Sequence, residues 1–225
     1  MRLFSLLAPR NNLCNVTRDV LAGIIEGCVY KSKQSISKRR IGSTRLVPGW
    51  NQFSGEDYIS GRYKGRKIEL SDVHLKYVHT SKKGHRTTET VFKGHWLVCE
   101  LAKELPAFIR ICESGGKSNV ETENIAFNKK YNIFTDYPYY VFYVLTPHFM
   151  EYIVSADEAA CARTYFYFKG NEVHIAVDSR RNSFQDSGAD RNNIEMARER
   201  IRTEMDYITG ILDELLQNEY LFGEE

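Results

Sequence analysis

The chain has 225 residues, 42% of them hydrophobic, and a net charge of +2. This length is enough for a genuine core in one large domain or two small ones, and the near-neutral charge excludes a general field that would attract nucleic acid. No run approaches the ~18 apolar residues of a membrane-spanning helix, and Leu3–Ala8 is too short for a secretory signal. We therefore expect a cytoplasmic protein.

The first 50 residues predict a helix and a linker. Apolar residues recur at helical spacing from Leu13 to Tyr30, although Gly23 and Gly27 weaken the pattern. Lys31 to Arg45 holds six basic residues and four serines with no acidic residue, which indicates a loop or linker. We expect residues 1–50 to pack on, or lead into, a single domain over residues 51–222.

The next segment predicts a hairpin and further sheet. Tyr58–Tyr63 and Arg66–Leu70 flank Lys64-Gly65, a pair typical of a tight turn. The apolar alternation then changes parity at Ser71-Asp72, which predicts a bulge or a short break. Thr80–Thr88 predicts another turn.

Two strands are expected after that turn. Thr90–Leu101 is apolar on both faces, as in a central strand, and Phe108–Cys112 predicts a short separate strand. The aromatic run Tyr139–Leu145 predicts a buried strand. Thr146-Pro147 then predicts a helix start, because threonine caps helices and proline suits the first helical position.

The end of the chain predicts a second hairpin and a long helix. Arg163–Lys169 and Glu172–Asp178 flank Gly170-Asn171, and apolar residues at helical spacing run from Ile194 to Leu215. Successive hairpins with helices at both ends and one in between favour the α+β class. The expected architecture is a mostly antiparallel sheet built from hairpins, with an N-terminal helix, a short middle helix and a long C-terminal helix.

The cysteines and histidines do not form a recognisable ligand motif. The cysteines have no C-x-x-C spacing, so we expect small buried side chains in a reducing compartment; they are Cys14, Cys28, Cys99, Cys112 and Cys161. The histidines lack the spacing of a metal site, so we expect structural roles and no metal or cofactor; they are His74, His79, His85, His95, His148 and His174.

The basic segment is the candidate for partner contacts. Its cations are Lys31, Lys33, Lys38, Arg39, Arg40 and Arg45. They suit an anionic membrane surface or a protein partner. Interleaved aromatic residues would favour RNA or single-stranded nucleic acid, and the segment has none, which argues against nucleic acid.

Several motifs, taken in order, resemble a known family. They are Phe53–Gly61, Glu69–His74, Thr90–Gly94, Tyr131–Asp136, Tyr143–Glu151, Gly170–Val177 and the terminal helix. Together they resemble the bacterial domain-of-unknown-function family 3137 over residues 15–217. The resemblance implies no catalytic residue. Many members of that family look membrane-associated, with hydrophobic segments before the domain. This sequence, in contrast, begins almost directly at the domain. We therefore expect that either it is a soluble variant or an upstream anchor is missing.

These observations favour a non-enzymatic binding or scaffold domain, acting through protein or lipid contacts and located in the cytoplasm or at the periphery of the bacterial inner membrane. One alternative is an enzyme, for example a hydrolase, whose site would gather two or more of the following residues in a pocket: Asp57, Asp72, His74, His95 and Asp136. A second alternative is a small-ligand sensor with a deep apolar pocket lined by the aromatic residues of Tyr139–Tyr143.

Overall fold

The computed structural model describes residues 8–47, 49–113, 118–180 and 194–223. Its six strands form one antiparallel sheet. They are β1 (Glu26–Lys31), β2 (Gln52–Tyr63), β3 (Arg66–Thr80), β4 (Arg86–Cys112), β5 (Asn132–Thr135) and β6 (Arg163–Asp178). The helices are α1 (Ala8–Ala22), α2 (Lys38–Thr44), α3 (Ile125–Lys130), a 3₁₀ turn (Pro138–Tyr140), α4 (Val141–Val144), α5 (Pro147–Ala160), α6 (Ile194–Leu216) and α7 (Glu219–Phe222). The predicted α+β class, with its N-terminal, middle and long C-terminal helices, is confirmed.

Strand β4 organises the sheet. Its first half pairs with β3, its last residues pair with β5, and β6 runs antiparallel to it with two register shifts. The two predicted strands Thr90–Leu101 and Phe108–Cys112 are therefore one continuous strand. The intervening residues 102–107 do not interrupt it, because pairing with β6 resumes after each register shift.

The sheet packs a hydrophobic core on each face. The larger core lies under α1, α5 and α6 and contains Ile68 and Leu70 of β3. The smaller lies under α2 and its flanking residues and contains Val73 and Leu75. The apolar alternation changes parity at Ser71-Asp72 because β3 contributes to one core before this point and to the other core after it. The strand itself is continuous, so the predicted break in β3 is wrong. A bulge does occur, but in β2, between Glu56 and Ile59.

Two predictions based on local residue chemistry are confirmed. Lys64 and Gly65 have φ of 46° and 79° and join β2 to β3, as expected of a two-residue hairpin turn. The Thr146 hydroxyl accepts a hydrogen bond from the Phe149 N–H at 3.2 Å, with Pro147 at the start of α5. The long C-terminal helix is present as α6.

The second predicted hairpin is wrong. Gly170 has a positive φ of 58°, yet Arg163–Asp178 is a single strand. Leu105 of β4 pairs with Gly170, and the two strands shift register on either side of this pair. The left-handed residue therefore accommodates a bulge instead of a turn.

The run Tyr139–Leu145 is also not a strand. It forms the 3₁₀ turn and α4, in which Val141, Val144 and Leu145 are buried while Tyr139, Phe142 and Tyr143 are at least half exposed. A buried strand would enclose nearly all of these rings, whereas a helical turn places only every third or fourth side chain on the core. The helical spacing of Val141 and Val144 therefore determines the local structure.

The N-terminal predictions need correction as well. The helix ends at Ala22 instead of Tyr30, because Gly23 and Gly27, poor helix formers, interrupt it and the following residues form β1 against β2. Lys31 to Arg45 is not a solvated linker, because it contains α2 and buries Ile36 and Ile41. The division at residue 50 stays a prediction.

A buried carboxylate joins the helices to the sheet on the larger-core face. Asp157 of α5 is 1% exposed. It accepts hydrogen bonds from the Tyr131 hydroxyl, from the Thr164 N–H at 3.1 Å and from the Tyr207 hydroxyl at 2.7 Å. The Lys130 ammonium lies 3.3 Å away. Three segments, around residues 131, 164 and 207, thus converge on one side chain.

Candidate functional site

The basic segment is an ordered part of the fold. The Ser37 hydroxyl caps α2 by accepting from the Arg40 N–H at 3.2 Å, and Arg45 ends the helix with φ of 52°. The Ile36 N–H donates to the Ser71 hydroxyl of β3 at 2.9 Å. These contacts, with the burial of Ile36 and Ile41, fix the segment on the smaller-core face of the sheet.

Arg40 differs from the other five cations. Its guanidinium donates to Glu69 at 2.8 Å and to Glu172 at 2.7 Å, and Glu69 also accepts from the Tyr58 hydroxyl. Burial opposes the charge on Arg40, but the two carboxylates outweigh it and raise the pKa of the guanidinium. A polar pocket of about 170 Å³ lies at this position. Arg40 thus ties α2 to β3 and β6.

The remaining cations face solvent. We call them the cationic surface: Lys31, Lys33, Lys38, Arg39 and Arg45, all exposed. The Lys38 ammonium lies 5.6 Å from the ring centroid of the half-buried Trp50. Residues 31–50 contain no acidic residue, so the charge of this surface is not offset within its own segment.

The sequence analysis missed further cations at the tip of the β3–β4 hairpin. Asn51 exchanges two hydrogen bonds with the Val78 backbone, each of 2.8 Å, which joins the segment after Trp50 to this hairpin. Beyond Val78 the tip carries exposed Lys82, Lys83 and Arg86. The pairing of Gln52 with Lys76 brings the segment after Trp50 close to the β3–β4 hairpin. Only the register of β2 and β3 could have indicated this proximity.

Three of the five residues considered for catalysis converge. Asp72 and His95 pair across β3 and β4, with 2.7 Å between the carboxylate oxygen and Nδ1, and their side chains are 6% and 4% exposed. Glu204 of α6 lies 3.7 Å from Nε2 of His95. Asp57, at the β2 bulge with φ of 55°, accepts from the Tyr30 hydroxyl at 2.5 Å.

The pKa values of Asp57 and His95 are both raised, but for different reasons. Burial raises the pKa of Asp57 to about 7, with Asp72 and Glu56 adding to the effect and the Tyr30 hydrogen bond opposing it. Burial alone would lower the pKa of His95, but the Asp72 and Glu204 carboxylates raise it to about 10. An imidazolium paired with Asp72 therefore sits within the larger core at neutral pH.

The remaining candidates lie apart from this cluster. His74 contacts Thr90 at 3.1 Å, and Asp136 is exposed after β5. Because His95 and Asp72 are enclosed between the sheet and α6, a substrate would reach them only if the covering helices opened. Among the residues that the structure describes, no group of three or more His, Cys, Asp or Glu could hold a metal ion.

The outcomes for the other candidates are mixed. His174 is buried and its Nδ1 accepts from the Trp96 indole at 3.1 Å, as expected of a structural histidine. Cys99 and Cys112 are buried as expected, whereas Cys28 is only partly buried and Cys161, at the C-cap of α5, is exposed. The side chain of Cys14 lies outside the described residues. Among the aromatic residues of Tyr139–Tyr143, Tyr139, Phe142 and Tyr143 face solvent and Tyr140 packs half-buried against the larger core, so they do not line a deep pocket.

No helix in the described parts of the chain is both long and apolar enough to cross a bilayer.

Comparisons with known proteins place the chain in a family. No curated protein matches it. The crystal structure of the mycobacterial trehalose monomycolate transport factor A, TtfA, is similar with a TM-score of 0.44 and 11% identity, covering 92% of this chain and 96% of that one. Residues 90–217, more than half of the chain, match the family described as "Protein of unknown function (DUF3137)". The chain therefore belongs to the DUF3137 family.

Proposed function

We propose that this chain is a non-enzymatic binding domain that contacts an anionic membrane surface, at the inner face of a bacterial membrane, through its cationic surface. The observation that carries the proposal is that the basic residues of α2 point in two directions. Arg40 turns inward to Glu69 and Glu172, and its neighbours Lys38 and Arg39 remain exposed. The cations are thus presented on an ordered support instead of a flexible linker.

The electrostatic binding free energy expected from the cationic surface suits reversible, peripheral binding to a membrane. A lysine or arginine near an anionic bilayer contributes about 1 kcal/mol, so five contribute about 5 kcal/mol before screening by salt. The half-buried Trp50 beside Lys38 adds a ring of the kind enriched at membrane interfaces. This supports weak association that depends on ionic strength.

The test is co-sedimentation with phosphatidylcholine vesicles, with and without phosphatidylglycerol. The triple variant Lys33→Gln, Lys38→Gln, Arg39→Gln should lose up to about a hundredfold in partition coefficient on the anionic vesicles. Its matched control is Lys129→Gln, Lys169→Gln, Arg202→Gln, which removes the same charge from exposed positions elsewhere. The control should bind like wild type.

Three results would reject the lipid proposal: wild type that ignores phosphatidylglycerol, equal loss in both triple variants, or binding that does not weaken with salt. Loss in both variants would assign binding to net charge alone. An acidic protein partner is the second candidate, favoured by the same five exposed cations. It would be indicated by a defined partner that wild type retains in a pull-down and the first triple variant does not, without any vesicle binding.

A further inference from the structure

A second surface, unrelated to the basic segment, is built from aromatic rings. We call it the tyrosine surface: Tyr137, Tyr139, Tyr140, Tyr143 and Tyr220, whose rings contact one another, with the exposed Phe142 next to Tyr143 in α4. Four of these side chains are 50–75% exposed, namely Tyr137, Tyr139, Phe142 and Tyr143. A contiguous exposed aromatic patch of this kind is uncommon on a monomer and marks interaction sites.

The rings are held together by contacts between two distant parts of the chain. Tyr143 stacks on Tyr220 with ring centroids 4.9 Å apart, and Tyr140 lies 6.1 Å from Tyr143 and 6.3 Å from Tyr220. Asn218 fixes the arrangement, because its side-chain amide donates to the carbonyls of Tyr143 and Val144 at 2.8 and 3.1 Å. Rigid tyrosines lose little conformational entropy when they bind.

The two segments that supply the tyrosine surface are acidic. Residues 131–162 and 203–223, which supply it, contain no lysine or arginine. Asp136 and Glu219, each next to a tyrosine of the surface, are exposed. Arg66 approaches from β3, but its guanidinium donates to the Phe222 carbonyl at 3.0 Å and lies over the Phe222 ring.

We propose that the tyrosine surface binds a basic, arginine-containing segment of a protein partner. Guanidinium groups are attracted to the faces of tyrosine rings, and the Asp136 and Glu219 carboxylates can pair with further cations of the same segment. A bilayer rich in anionic lipid fits this surface poorly, because its acidic residues would be repelled. This inference does not depend on the proposed function of the cationic surface.

The experiment measures anisotropy of a labelled peptide in which arginines alternate with serines. A second peptide with citrulline in place of arginine keeps the shape and removes the charge. Wild type should bind the arginine peptide at low salt and the citrulline peptide at least about tenfold more weakly. The double variant Tyr139→Ala, Tyr143→Ala should also weaken binding of the arginine peptide about tenfold.

A second variant protects the test against misfolding. Asp136→Asn with Glu219→Gln changes only exposed carboxylates, and should weaken binding and flatten its salt dependence. Tyr77→Ala, a tyrosine 43% exposed on the β3–β4 hairpin, is the matched control and should bind like wild type.

Four outcomes would overturn the proposal. The first is equal affinity for the two peptides, and the second is a tyrosine or carboxylate variant that binds the arginine peptide like wild type. The third is self-association in analytical ultracentrifugation that the tyrosine variant abolishes. The fourth is vesicle binding that the tyrosine variant abolishes. The third would assign the surface to a second copy of this chain, and the fourth to lipid.

Discussion

His95 and Asp72 form an ion pair across β3 and β4, with 2.7 Å between the imidazole and the carboxylate, and both side chains are almost completely removed from solvent. The Asp57 carboxyl interacts with both of them electrostatically. Removing charges from water is costly unless they are paired. This cluster therefore links the stability of the larger core to protonation.

His95→Leu should be strongly destabilising. It leaves Asp72 in the core without the His95 charge, which typically costs about 3–5 kcal/mol. The double variant Asp72→Leu, His95→Leu should recover part of this loss, because an apolar pair can replace a buried ion pair. Urea unfolding at neutral pH measures both, with exposed His79→Leu as control. A cost for His95→Leu as small as that of the control would contradict the prediction.

Asp57→Asn should change the pH dependence of stability. Ionisation of Asp57 begins near its ordinary pKa of 3.8 in the unfolded chain, but near pH 7 in the folded protein. The folded state therefore holds the proton more tightly, and the stability contributed by this group, complete below pH 3.8, is lost as the pH rises to about 7.

Asparagine cannot ionise and tolerates the positive φ of residue 57. Between pH 4 and pH 8 the difference in unfolding free energy should thus shift in favour of the variant, by up to about 4 kcal/mol. Urea unfolding across this range checks the prediction, with Asp206→Asn on the exposed side of α6 as control. Parallel pH profiles for wild type and Asp57→Asn would refute it.

Asp157→Ala should cost about 3–5 kcal/mol of unfolding free energy, because a buried carboxylate that accepts from Tyr131, Thr164 and Tyr207 is removed. Glu158→Ala, the next residue of the same helix and exposed, should change stability by less than about 0.5 kcal/mol. Thermal and urea denaturation distinguish the two. Similar losses in both variants would show that helix propensity, and not the hydrogen-bonded carboxylate, sets the effect.

Arg40→Ala and Arg39→Ala should separate stability from binding. The Arg40 side chain is 29% exposed and pairs with two carboxylates, so its loss should cost about 1–2 kcal/mol after allowance for solvent screening. Arg39→Ala should leave stability within about 0.5 kcal/mol and weaken vesicle binding instead. If Arg39→Ala destabilised the protein as much as Arg40→Ala, both arginines would be structural.

The predictions from sequence succeeded where the information is local. Lys64-Gly65 and Thr146-Pro147 determine their own turn and helix start, because the backbone angles and the cap hydrogen bond involve only neighbouring residues. Gly170-Asn171 has similar turn chemistry but lies opposite a long strand, and pairing with β4 on both sides of Gly170 prevails over the turn.

The candidate site was predictable only in part. Lys38, Arg39 and Arg40 look equivalent in sequence, and only the positions of Glu69 and Glu172 on the sheet distinguish the inward arginine from the outward cations. The approach of Asp57, Asp72 and His95 depends on the β2 bulge and the β3–β4 register. The tyrosine surface was misread because aromatic composition favours strands.

The length of β4 also determines when the protein can fold during its synthesis. Residues near 94 of this strand pair with residues near 178, so the ribosome has produced most of the chain before β6 can cover that edge. Until then the nascent sheet exposes an unsatisfied backbone edge beside apolar side chains, a state prone to aggregation. Chaperone demand in the cell should therefore concentrate on the interval between synthesis of β4 and release of β6.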